Sequence, residues 1–150
     1  MVKKKKFKSK FIRFLSNREA QVVGERLDKL TIKNEGELKP TQIVDDARPI
    51  NSPLHKYFEW DDSIAGEKHR KQQARNLTGW VIEATYVKGT ATEQRSFFNV
   101  INAKGKSVYV TIGTITKTPD YLIQLINESV EQINSLTNTL GFLKDRLKKK

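Results

Sequence analysis

The chain has 150 residues, enough to bury the core of one ordinary domain, and its lack of cysteine excludes disulfide frameworks and thiolate metal sites. Its 28 Lys and Arg against 17 Asp and Glu give a net charge of +11, and 37 % of residues are apolar. No apolar run approaches the roughly 18 residues needed to span a bilayer.

The charge is unevenly placed. Residues 1–15 hold Lys3, Lys4, Lys5, Lys6, Lys8, Lys10 and Arg13 and no acid, while residues 144–150 hold Lys144, Arg146, Lys148, Lys149 and Lys150 against Asp145. Setting aside those twelve bases and one acid leaves 16 of each sign in 16–143, so the two ends carry the whole excess. A neutral body with basic ends fits polyanion binding better than a basic enzyme cleft. Residues 1–16 read as a flexible basic arm that seeks phosphates. Two alternatives stand beside that reading. The segment is too short and too interrupted by Arg13 for a signal-peptide core, but as a helix it would set Phe7, Phe11, Phe14 and Leu15 opposite the lysines. It would then dock on a surface or a membrane. An inert solubilising tail is the other possibility.

Asn17 fits as the N-cap of a helix over Arg18–Leu30, with Val22, Val23, Leu27 and Leu30 at helical spacing. Thr41 caps a short second helix that carries Ile43, Val44 and Ala47 and stops at Pro49. Ser52-Pro53 opens a turn, followed by Leu54, Tyr57, Phe58 and Trp60 as packing anchors. Asp61 or Asp62 then caps a third helix, Ser63 to Thr78, which Gly79 ends. The lengths and links suggest a helix-turn-helix-like unit.

From Trp80 the period changes. WVIEATYV (80–87), SFFNVINA (96–103) and SVYVTIGTI (107–115) read as three strands. The last two form a hairpin around Lys104-Gly105-Lys106, and the first should pair with them. Thr118 and Pro119 start the final helix. Its heptad sets are Ile126, Ile133, Leu140, Leu147 and Leu122, Ser129, Leu136, Leu143, a coiled-coil-like seam with one polar member. Ile133, Leu136, Leu140, Leu143 and Leu147 are the expected oligomerisation residues, with simple packing within the chain as the alternative. The fold class is therefore α+β: a basic arm (1–16), a helical unit plus antiparallel sheet (17–118) and a C-terminal association helix with a basic tail (119–150).

The expected nucleic-acid contacts are Lys68, Arg70, Lys71, Gln72 and Arg75 on the third helix, together with the arm lysines, Arg13 and Lys148, Lys149 and Lys150. Arg and Lys suit phosphates or guanine edges, and Gln suits adenine edges. The plainer reading of that helix is a charged solvent face, with Glu67 offsetting part of its potential. Glu59, Asp61, Asp62 and Glu67 lie near His55 and His69 but match no known metal spacing, so capping and ion pairing explain them and no metal or cofactor is expected. No nucleophile elbow or Gly-rich phosphate loop is present, and no enzyme is expected. Tyr57, Phe58 and Trp60 suit base stacking, although packing of a short connection explains them more simply.

The stretch SPLHKYFEWDDSIAGEKHRKQQAR, residues 52–75, resembles a recurring element of small, mostly uncharacterised phage and prophage proteins. Ser52, Pro53, Leu54, His55, Tyr57, Phe58, Glu59, Trp60, Asp61, Asp62, Gln73, Ala74 and Arg75 carry the likeness. It covers about a sixth of the chain, and the flanking order of helix, strands and C-terminal helix is also similar. His69, where the family tends to an aromatic, Thr78, near which it tends to an apolar residue, and the Lys-rich arm depart from its pattern. The resemblance implies a phage or mobile-element setting, in the host cytoplasm or the virion, and no activity. Together these features lead to a non-enzymatic protein that binds nucleic acid, most simply duplex DNA, and oligomerises through its last helix. The alternative is a virion structural or packaging protein acting through protein contacts, with a phage structural partner.

Overall fold

The computed structural model describes residues 4–148, and divides into one compact unit up to Thr114 and a second from Ile115 onward. Lys3, Lys149 and Lys150 lie outside the described residues. The protein is mixed helix and sheet, with small antiparallel sheets and a long C-terminal helix.

The first unit opens with a strand where an arm was expected. β1 (Phe7–Ser9) pairs antiparallel with β2 (Val81–Val87), Phe7 opposite Glu83 and Ser9 opposite Val81. Phe7 is 4 % exposed and Leu15 1 %. The outer edge of β1 is satisfied by side chains of α1 (Asn17–Lys33): Phe7 N–H donates to Gln21 Oε1 at 2.8 Å, and Ser9 N–H to Asn17 Oδ1 at 3.0 Å. Bonding both outward N–H groups in this way removes the donors that a second chain would pair with. The flexible arm over 1–16 is therefore corrected for residues 7–16: burying two large apolar side chains outweighs the entropy of a free tail.

Ser16, one residue before the expected cap, starts α1 through a capping box. Its hydroxyl accepts from Glu19 N–H at 3.2 Å, and Ser16 N–H donates to Glu19 Oε2 at 3.0 Å. Lys56 donates to the same carboxylate at 2.6 Å. That ammonium first, then the Ser16 backbone N–H and hydroxyl, holds the Glu19 carboxyl down from its ordinary value of 4.5 to about 2. A carboxyl depressed in the folded state stabilises above its unfolded pKa and loses that stability as pH falls through the folded one. Glu19→Gln should therefore abolish a small stability loss between about pH 5 and pH 2, under about 1 kcal/mol at this exposed site. Urea titrations of both proteins across that range check it.

Within α1 the buried positions Ala20, Val23, Leu27 and Leu30 face the core, and Gly24 faces Phe7. A methyl group at Gly24 would fall within the Phe7 ring. Gly24→Ala is expected to lower stability by about 1–3 kcal/mol despite alanine's better helix propensity, because the ring must leave its pocket. Thermal denaturation reads the sign directly.

α2 (Pro40–Ala47) buries Ile43, Val44 and Ala47. From its end the chain runs irregularly through residues 48–66, with a single 3₁₀ turn at His55–Tyr57, before α3 (Glu67–Trp80). A helix-turn-helix link has three or four residues. The helix-turn-helix-like reading is corrected on that ground. α3 also starts later than expected, with Gly66 rather than Asp61 or Asp62 at its N-cap, and Gly79 lies inside it.

The sheet expectation needs a larger correction. Lys88 and Gly89 both take positive φ, as a two-residue type I′ turn requires, and they join β2 to β3 (Thr90–Arg95). Sheet order is β1-β2-β3, while β4 (Phe97–Ile101) and β5 (Ser107–Thr111) form a separate hairpin. Leu38 brackets the free edge of β5, exchanging hydrogen bonds of 2.7 Å in both directions with Tyr109. The run from Trp80 thus pairs with β1 and β3 and not with the later hairpin. α4 (Ile112–Ile115) follows β5.

The second unit is dominated by α5 (Pro119–Lys148), which begins at the expected proline. Its seam is open to solvent: Ile133 is 63 % exposed, Leu136 61 %, Leu140 58 %, Leu143 51 % and Leu147 75 %. Among the described residues, no helix is long and apolar enough to cross a membrane.

Candidate nucleic-acid interface

α3 has two chemically distinct faces. Arg70, Ala74 and Leu77 recur at i, i+4 and i+7 and are buried with Thr78. Lys68, Gln72, Arg75 and Gly79 recur on the opposite side and are exposed, while Lys71 is half-buried. Among the described residues, no ion pair engages Lys68, Lys71 or Arg75. Gln72 Nε2 donates to Asn76 Oδ1 at 3.1 Å, along the helix surface.

Arg70 departs from the sequence expectation. It is 6 % exposed, and its guanidinium is used internally. It donates to Asp62 Oδ1 at 2.7 Å, to Ala65 O at 2.8 Å and to Glu67 Oε2 at 3.4 Å. It also lies 5.7 Å from the centre of the Trp60 ring. The hydrogen bond to Asp62 raises its pKa further above the ordinary arginine value. Arg70 is thus a clamp on the 59–67 loop and is withdrawn from nucleic-acid contact.

The aromatic and acidic residues of the 52–75 stretch serve the same loop. His55 stacks on Trp60 with ring centres 5.0 Å apart, and Trp60 Nε1–H donates to His55 O at 3.0 Å. His55 Nδ1 lies 2.9 Å from Ala47 O, so it carries the proton and closes the end of α2. Gln73 Oε1 accepts from Glu59 N–H at 3.2 Å, and Asp61 accepts from Ser63 N–H at 2.9 Å and from its hydroxyl at 2.6 Å. Leu54 is fully buried and Phe58 nearly so. Among the described residues, no group of three or more His, Asp or Glu is placed to hold a metal ion.

This clamp has an electrostatic consequence. Glu67, the acid expected to offset the basic face, accepts from Arg48 Nη2 at 3.1 Å as well as from Arg70. Its charge is answered by Arg48 and Arg70, so that among the described residues no ion pair offsets Lys68 or Arg75.

The N-terminal lysines fare differently. Lys4 lies 3.1 Å from Glu25, Lys5 2.7 Å from Asp28 and Lys8 2.9 Å from Glu93. The Glu93 hydrogen bond raises the Lys8 pKa above its ordinary value. Lys6 sits over the Tyr86 ring at 5.2 Å, and Arg13 over Phe14 at 4.5 Å, with Phe14 itself stacked on Trp80. Three of the five N-terminal lysines that are described thus face acids of their own body.

Lys10 is brought to α3. Its N–H donates to Trp80 O at 2.8 Å, and it lines an open groove of about 210 Å³ with Gly79, Ile82, Glu93, Gln94 and Arg95. The exposed face of α3 therefore continues from Lys68 and Arg75 past Gly79 to Lys10 and Arg95. Arg95 is not among the contacts expected from sequence, because it stands 85 positions from Lys10, and only the β1-β2-β3 pairing places both at one end of α3.

Comparison with models of protein families, with curated proteins and with solved structures gave no match. In the second unit Lys144, Arg146 and Lys148 are exposed, with Arg146 5.1 Å over Phe142.

Proposed function

We propose that the chain is a non-enzymatic, phage- or mobile-element-encoded protein that binds duplex DNA along the exposed face of α3, self-associates through α5, and works in the host cytoplasm or the virion. One observation carries the reading: Lys68 and Arg75 are exposed and, among the described residues, form no ion pair, while Glu67 is bound by Arg48 and Arg70. Lys10 and Arg95 extend the same face, and the C-terminal bases add sequence-independent phosphate attraction. Self-association would multiply a weak grip through effective concentration. A gel shift on a duplex at low salt tests it. A salt-sensitive retarded band is the expected result, and no band at any protein concentration would end the DNA reading.

A second reading, a virion structural or packaging protein, is favoured by the ion pairs that tie Lys4, Lys5 and Lys8 to the body and by the exposed α5 seam. Mass spectrometry of purified virions separates the two: the chain at structural copy number supports assembly, and its absence supports a DNA-binding role in the cell.

A further inference from the structure

The seam of α5 holds two kinds of information beyond its apolarity. The first is one polar layer. Ser129 stands where the repeat of Leu122, Leu136 and Leu143 calls for an apolar residue, and its hydroxyl already donates to Leu125 O at 2.8 Å within its own helix. A polar layer in an apolar seam specifies register, because sliding by one heptad sets it against leucine. The second is the chemistry of the flanks. Beside the seam lie Ile123, Leu125 and Val130 in the first half, Gln132, Thr137 and Thr139 in the middle, and Lys144 and Arg146 at the end.

We propose that two copies of α5 pair in parallel and in register, which gathers the basic tails of both copies at one end. This rests on the self-association reading above and adds its orientation. In a parallel pair Leu125, Gln132 and Thr139 each meet the residue five positions further along the other helix, while Ile123 falls opposite Thr118, before α5 begins. Leu125 then meets Val130, Gln132 meets Thr137, and Thr139 meets Lys144 of the second copy. Apolar meets apolar, polar meets polar, and no two like charges face each other.

The antiparallel alternative also gives every seam position a partner, setting Leu122 against Leu147 and Ile126 against Leu143. Its flanks do not match. Ile123 would lie beside Lys144 and Leu125 beside Arg146 of the second copy, at both ends of the pair, and Ser129 would face Leu140. Repulsion between the gathered tails is the opposing effect. It acts between exposed groups in water, and is screened beyond about 8 Å at physiological ionic strength. The apolar match is not screened. Ile126 and Ile133 in one seam set, with Leu136 and Leu143 in the other, favour two strands. Such a pair presents a concentrated cationic tip to the phosphate backbone.

The absence of cysteine makes the orientation readable. Ser129→Cys, Leu140→Cys and the outward-facing control Asn138→Cys are each made in the full chain, with a mass-shifting tag on Leu140→Cys. Light scattering under reducing conditions first gives the mass. Oxidation should then convert most Ser129→Cys to a disulfide dimer, leave Asn138→Cys a single chain, and give no mixed species from Ser129→Cys with Leu140→Cys. A two-chain mass with the mixed disulfide dominant would overturn the parallel orientation and leave self-association standing. A one-chain mass at high micromolar concentration would overturn self-association itself, and a three- or four-chain mass would overturn the two-stranded pairing.

Discussion

Phe7→Ala is expected to lower the free energy of unfolding by about 3–5 kcal/mol, the range for removing a buried aromatic from a packed site. The ring is 4 % exposed, lies against Gly24 and anchors a strand whose two outward N–H groups are bonded by Gln21 and Asn17. Losing it leaves a cavity that neither the glycine nor the short strand can fill. Urea denaturation followed by the fluorescence of Trp60 and Trp80 reads the change. A shift below about 0.5 kcal/mol, the value for an exposed site, would return residues 7–16 to the status of a free arm. The same packing means that deleting residues 1–10 would injure the fold, so point substitutions are the cleaner probe of binding.

The second large effect belongs to the exposed face of α3. Replacing Lys68 and Arg75 together by alanine should weaken duplex binding about 60-fold at 0.1 M monovalent salt, if each neutralises one phosphate and contributes a salt slope of about 0.9. Stability should move by no more than about 0.5 kcal/mol, because both side chains are exposed and, among the described residues, no ion pair holds either of them. Fluorescence anisotropy with a labelled duplex measures the affinity. A loss of less than about threefold would remove this face from the interface.

Periodicity made α1, α2 and α5 legible, because each keeps apolar residues at helical spacing. Lys144, Arg146 and Lys148, as a charged end, were legible for the same local reason. What stayed hidden depends on distant partners. Phe7-Lys8-Ser9 is too short to announce a strand, and its partner begins at Val81. Thr90–Arg95 carries no apolar residue but Ala91, so it gave no strand signal, although Lys88-Gly89 was an available turn cue. Arg70 looked like its neighbours in sequence. Its place one turn before Ala74 and opposite Lys68 on α3 put it inside, where Asp62 and Ala65 O were waiting. The 52–75 stretch drew notice for its aromatics and acids, and these hold a long connection in place so that the basic side of α3 faces outward.

The most direct test of DNA binding by α3 compares salt dependence in two proteins. Anisotropy titrations of one duplex at several salt concentrations are run with the wild-type chain and with the Lys68→Ala/Arg75→Ala variant, and log affinity is plotted against log salt. The wild-type line should be steeper by about 2, one unit for each phosphate contact removed. Parallel lines, or no binding by the wild-type chain at the lowest salt, would contradict it.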